Sequence, residues 1–213
     1  MADDMQKKTR LILILTGISW LSAVGFGLHR LWRYENEPGS AVKAPGRWPA
    51  SSQIKPDHSH ATLVMFAHPQ CPCTRASVGE LALLMARCQG RVTAYVLFYK
   101  PKDFPADWEK TDLWDSAAAI PGVSALQDED GVEAGRFHAA TSGHVLLYGP
   151  GGDLLFDGGI TASRGHSGDN EGRSAIVSLL TEGTAQQRET FTFGCSLRDT
   201  NSACEEGAEQ CDE

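Results

Sequence analysis

Hydrophobic positions along this chain form one unbroken block followed by shorter periodic runs. Leu11 to Leu28 carries no charge. Eighteen helical residues rise about 27 Å, close to the thickness of a hydrocarbon core. His29 and Arg30 end the block, and Trp32 and Tyr34 follow where an interfacial belt would lie. Lys7, Lys8 and Arg10 precede it, and Arg30 and Arg33 come after, so the positive-inside bias slightly favours an internal N-terminus. A cleaved signal peptide is the competing reading, because Leu21-Ser22-Ala23 and Gly25-Phe26-Gly27 offer small-residue cleavage sites. A buried core helix fits the flanking charges poorly. The pattern predicts a short segment 1–10, an anchor over 11–30 with its apolar stretch at 11–28, and a domain outside the cytoplasm. The expected location is a single-pass cytoplasmic-membrane protein facing the periplasm or exterior.

Residues 31–60 hold Pro38, Gly39, Pro45, Gly46, Pro49 and Pro56 among polar residues and read as a linker. From 61 onward the period changes. Thr62–Ala67 and Arg91–Tyr99 predict strands, and Thr74–Cys88 predicts a helix with Val78, Leu81, Ala82, Met85 and Ala86 on its apolar face. Two strands joined by a helix suggest a βαβ unit with a parallel pair. A helix over Trp108–Ile120, a strand over Val123–Gln127 and a short helix over Val132–His138 follow. His144–Tyr148 and Leu154–Asp157, joined by Gly149-Pro150-Gly151-Gly152, predict a hairpin. A last helix is expected from about Asn170 to Leu180. The domain thus covers 61–183, and 184–213 is a C-terminal tail.

Composition narrows the function classes. The chain has 213 residues, 41% hydrophobic, enough for one domain with a good core plus an anchor. The net charge is -8 with no basic cluster among aromatics, which argues against nucleic-acid binding. Six cysteines stand at 71, 73, 88, 195, 204 and 211, too sparse for a disulfide-stapled scaffold. Cys88 reads as a small buried hydrophobe. Cys204 and Cys211 lie in an acidic tail, where a mutual disulfide and disorder are equally compatible with the sequence.

The chemistry centres on Cys71-Pro72-Cys73, at the junction of a strand and a helix. A helix N-terminus lowers a thiol pKa, and the thiolate is the reactive species. Cys71 is expected to be the more exposed sulfur, with Arg75 adding positive charge and Cys73 as its resolving partner. Cys195, after Phe191-Thr192-Phe193-Gly194, is a second candidate partner if its segment folds back over the site. The spacing leaves the pairing open. His144 and His68 are candidates for acid–base work on a thiol, and Arg164 and His166 for substrate-facing charge. Cys71, Cys73, Cys195, His68 and His144 together form an alternative metal set suited to copper, zinc or an iron–sulfur centre. Without that alternative, no cofactor is expected.

The order βαβ, helical insert, βαββα, with the strand Leu63–Ala67, Cys71 and Cys73 at a helix start and Asp128-Glu129-Asp130-Gly131 before a short helix, resembles the thioredoxin-like superfamily. Gly143–Leu147 and Gly151-Gly152-Asp153-Leu154 extend the likeness over about 60–183. It is narrower toward the peroxiredoxin-like branch of secreted thiol oxidoreductases. Gly158–His166 with Phe193-Gly194-Cys195 is similar to RedB-like proteins. The resemblance implies a three-layer α/β/α domain with a mixed central sheet. Two features depart from it: Cys-x-Cys replaces Cys-x-x-Cys, and Thr141-Ser142-Gly143-His144 lacks the cis proline that faces the cysteines, which puts substrate docking along that loop in question. The absence of Thr-x-x-Cys weakens a peroxidase reading.

The function these readings imply is a membrane-anchored extracytoplasmic thiol–disulfide oxidoreductase using Cys71 and Cys73. Its partner would be a redox protein or a membrane complex. The alternatives are a metal-binding or electron-transfer protein and a non-catalytic accessory subunit.

Overall fold

The computed structural model describes residues 2–198. It divides into two units, 1–37 and 38–213. The first is a single helix, α1 (Ala2–Asn36), whose stretch from Asp4 has an apolar window of mean hydropathy 2.0 with no residue buried. By length and composition it can cross a membrane. It runs past the expected stop at Arg30, because Leu31-Trp32-Arg33-Tyr34-Glu35 holds no helix breaker until Pro38-Gly39.

The second unit is built on five strands: β1 (Ala61–Ala67), β2 (Val92–Lys100), β3 (Val123–Glu129), β4 (His144–Tyr148) and β5 (Leu154–Gly159). Their spatial order is β3-β2-β1-β4-β5. The first three are parallel, while β4 runs antiparallel to both β1 and β5. The helix α2 (Pro72–Arg87) joins β1 to β2, which is the predicted βαβ unit. The remaining helices are α3 (Asp112–Ala118), α4 (Val132–Arg136) and α5 (Glu171–Glu182). The fold is thioredoxin-like, a mixed sheet with the cysteine pair where β1 passes into α2.

Every residue of β1 is buried, so its alternation separates two cores rather than a core and a wet face. Leu63, Met65 and Ala67 pack with Val78, Leu81, Leu84, Ile176 and Leu179 of α2 and α5. Val64 and Phe66 pack on the other face with Phe137, Leu146, Tyr148 and Leu197.

That second face corrects the idea of 31–60 as a free spacer. Ala44 and Ile54 are buried in it, and Trp48 packs edge-on against Phe137 and Tyr148. The Ala44 amide donates to Asp157 Oδ2, and the Tyr148 hydroxyl donates to the Pro45 carbonyl. These apolar residues fill the area the short α4 leaves open.

The predicted helix 108–120 shortens to Asp112–Ala118, since Asp107 has a positive φ and 105–110 forms turns. β3 runs on to Glu129, one residue into the expected Asp128–Gly131 turn, and Asp128 is the strand's one buried residue. Its carboxylate accepts from the Glu133 and Ala134 amides and so starts α4.

Candidate active site

Pro72 opens α2 at its first turn, a position that needs no amide donor, and Cys71 is the N-cap with an extended backbone. This puts the Cys71 sulfur at the positive end of a sixteen-residue helix. Both motif cysteines are buried, Cys71 at 2% exposure and Cys73 at 7%. Cys71 is therefore not the exposed member the sequence suggested, because a strap from the C-terminal side lies over it.

The strap follows α5. Glu189 bridges to Asp157 at the β5 edge, and Gly39 donates to the Thr192 carbonyl. Next to the cysteines the strap pairs with the loop before β4. The Ser142 amide donates to the Cys195 carbonyl at 2.8 Å, Leu197 to Ala140 at 2.9 Å, and Thr141 bridges Ser196. The Thr141–His144 loop thus has its main-chain edge filled by the chain's own strap. Ser142 is fixed from below as well, its hydroxyl 2.7 Å from Thr74 Oγ1 and receiving the His68 amide.

As a result Cys195 Sγ lies 3.1 Å from Cys71 Sγ, across 124 residues of sequence. The Sγ atoms of Cys71, Cys73 and Cys195 all lie within 4.8 Å of one another. Cys195 alone of the three is partly exposed.

The three thiols differ electrostatically. Burial by itself raises the Cys71 pKa. Hydrogen bonds from the Cys195 thiol and amide and from the Thr74 hydroxyl and amide outweigh it and hold Cys71 below the ordinary thiol value. Burial raises Cys73, and the neighbouring Cys71 charge raises it further. Burial also pushes Cys195 up to about 12, with the Cys71 hydrogen bond and charge adding to the rise. The trio thus favours one thiolate, on Cys71, flanked by two thiols.

The other predicted residues divide. Arg164 is at the site: its guanidinium donates to the Gly194 carbonyl, and its charge acts on Cys73 and Cys195. His166 is exposed, with Nδ1 3.0 Å from the Arg164 carbonyl, and is not among the groups clustered at the sulfurs. His144 is also elsewhere. It shares the Phe66–Leu146 face of the sheet and is 2.6 Å from Asp157, because the alternation of β4 turns it away from α2. His68 sits between Tyr99 and Trp108, at ring distances of 6.0 and 5.7 Å. Arg75 pairs with Asp112 at 2.6 Å rather than serving the thiolate. Cys88 is buried as expected. Cys204 and Cys211 lie outside the described residues.

The separation of the histidines decides how well the metal set fits. Among the described residues three sulfurs converge and no histidine joins them. Two thiolates on one tetrahedral zinc would stand roughly 3.8 Å apart for zinc–sulfur bonds near 2.3 Å. The 3.1 Å spacing is shorter than that and suits a proton shared between sulfurs. The five-ligand set does not fit this arrangement.

Sequence reasoning missed Glu80, Thr74 and Ser142. Glu80 is 1% exposed within the apolar face of α2, next to Leu81. A carboxylate inside a buried stripe was the signal available.

No protein-family model matches the chain, and no curated protein matches it. Among solved structures it is similar to a hypothetical protein of Sinorhizobium meliloti, with a TM-score of 0.60 and 19% identity, covering 76% of this chain and 98% of that one. It is similar to an uncharacterized conserved protein of Geobacillus kaustophilus, with a TM-score of 0.58, 19% identity and the same coverage. At a TM-score of 0.42 and 15% identity it is similar to the exposed lipoprotein thioredoxin Etrx1 of Streptococcus pneumoniae, over 58% of this chain and 84% of that one. These likenesses concern the fold alone.

Gly194 is what lets the strap seat. A Cβ there would meet the Ser142 carbonyl oxygen at 1.9 Å. Gly194→Ala is expected to lift the strap and cut formation of a Cys71–Cys195 disulfide by about 10²-fold, the size of effect that an ångström-scale misplacement produces. Mass mapping after timed oxidation reads it out. Wild-type yield in the variant would show that the strap does not set the sulfur contact.

Proposed function

We propose that this protein is a membrane-anchored, extracytoplasmic thiol–disulfide oxidoreductase whose working pair is Cys71 and Cys195. The observation that carries the reading is the 3.1 Å contact between one acidified sulfur and one partly exposed sulfur. It replaces the Cys71/Cys73 pair suggested by adjacency. Cys73 stays within reach as a third thiol, held protonated by its burial and the charge beside it.

The exchange conserves atoms and electrons. A thiolate attacks one sulfur of a disulfide, a mixed disulfide forms, and the displaced sulfur leaves with the electron pair. A second thiolate then attacks the mixed disulfide and frees the first partner. Over the cycle one disulfide is reduced and one dithiol oxidised. An apolar helix fit to span a membrane supports anchoring, and a working disulfide suits a compartment outside the cytoplasm. The partner class is a redox-active protein.

Mapping the cysteines of the full chain in detergent, after equilibration with oxidised glutathione, tests the reading. The expected product is a Cys71–Cys195 cross-link that also forms in Cys73→Ser. A Cys71–Cys73 product, or thiols that stay reduced and hold stoichiometric metal, would overturn it.

A further inference from the structure

We infer that, in the disulfide state, an incoming partner thiolate attacks Cys195 and that Cys71 is the sulfur that leaves, so the site's substrate is a protein dithiol that becomes oxidised. This rests on the Cys71–Cys195 reading and assigns it a direction and an entry point.

Access is the first argument. Cys71 is 2% exposed beneath the strap, whereas Cys195 sits on the strap itself and is partly exposed. The main-chain edge through which an extended partner would reach Cys71 is occupied, with Ser142 bonded to Cys195 and Leu197 to Ala140. Of the two residues, Cys195 is the one open to a partner arriving from solvent.

Departure is the second argument. Cleaving the bond between Cys71 and Cys195 leaves one sulfur carrying the electron pair, and the better leaving group is the more acidic thiol. Cys71 is at the N-terminus of α2, with the Thr74 hydroxyl and amide and the Cys195 main-chain amide donating to it, so the pair can settle there. Expelling Cys195 in this first step, with Cys71 taken by the partner, would instead put charge on the sulfur that burial and the neighbouring sulfurs disfavour as a thiolate; in the second step Cys195 departs as it takes up a proton. A dithiol state holding a stabilised thiolate also makes the disulfide more oxidising.

The steps balance. The partner's first thiolate bonds to Cys195 Sγ, the bond between Cys195 and Cys71 breaks, and Cys71 keeps the electron pair. The partner's second thiolate then attacks its own sulfur in the mixed disulfide. Cys195 leaves and takes up a proton. The partner ends as a disulfide and the domain as a dithiol. A low-molecular-weight or protein disulfide restores the domain by the same exchange.

The test uses wild-type full-length protein in detergent, oxidised with excess oxidised glutathione, freed of it and mapped. Reduced glutathione is then added as a monothiol probe, samples are quenched in acid at short times, and the site of glutathionylation is located by mass spectrometry. The adduct on Cys195 is expected to exceed that on Cys71 by about tenfold or more at the first time points. A first adduct on Cys71 or Cys73, equal adducts, or no adduct despite an intact cross-link overturns the inference. Failure to form the Cys71–Cys195 cross-link before glutathione is added overturns instead the reading on which it rests.

Discussion

Cys71→Ser is expected to lower the rate of thiol–disulfide exchange by about 10³-fold or more, the scale seen when one member of a catalytic unit is removed. The full-length variant should fold, because serine is close in size and Cys71 is a cap rather than a helix-interior residue. Cys195→Ala is expected to stop turnover as well, but for a different reason. It leaves the Cys71 thiol in place while removing its partner and the side-chain hydrogen bond from that partner. The two variants therefore separate by pH. In Cys195→Ala the ionisation of Cys71 should move upward, toward the ordinary thiol value, as read from the pH profile of its alkylation. An unchanged profile would show that Cys195 does not stabilise the thiolate.

The same groups give the reduced protein a signed pH dependence. Cys71 is depressed in the fold, so its contribution to stability is present above the unfolded thiol value of 9.0 and is lost as pH falls through its lowered value. Cys195 is raised, so its contribution is present below 9.0 and is lost as pH climbs toward about 12. From this pair, stability rises with pH up to the ordinary thiol range and declines above it. Denaturant midpoints of the reduced protein across that range should follow this curve, and Cys71→Ser should flatten its rising limb.

The second large effect concerns Glu80. Its carboxylate accepts from Arg173, from Asn170 Nδ2 at 3.2 Å and from the Gly168 amide at 2.7 Å. Three elements meet there: α2, the end of the 160–170 loop and the first turn of α5. Glu80 is 1% exposed, so its charge is tolerated only because these donors surround it. Glu80→Ala leaves the exposed Asp169 as the remaining ion-pair partner of the buried Arg173 guanidinium and is expected to cost about 3–5 kcal/mol. The double change Glu80→Leu with Arg173→Met removes both charges and should cost far less. Urea unfolding of the single and double variants measures the difference. A loss under about 1 kcal/mol for Glu80→Ala would place the pair with solvent-exposed ion pairs. The variant should also slow exchange, since the loop that Glu80 anchors carries Arg164, which holds the strap at Gly194.

Much of the fold is written locally. The β-branched and aromatic runs of β1 and β2, the apolar face of α2 and the glycine-rich turn between β4 and β5 each point to the element that forms. Trp108–Ile120 reads longer than its helix because apolar period alone does not register the turns at 105–110. The 31–60 stretch reads as a spacer because proline and glycine rule out regular structure but say nothing about burial. Ala44, Trp48 and Ile54 reach the sheet only because α4 is too short to cover it.

At the site, the sequence by itself determined the strand-to-helix junction, the helix-capping position of Cys71 and the presence of a cysteine after Phe193-Gly194. Those are matters of residue type and spacing over a few positions. Which sulfur lies against Cys71, and which candidate bases stay away from it, only the tertiary structure decided. Adjacency favours Cys73, while closure of the strap through Gly194 and the 140–142 edge brings Cys195 to Cys71 from 124 residues away. The pleat of β4 fixes His144 on the far face. Contacts across such separations depend on how whole elements pack, and no local pattern carries that information.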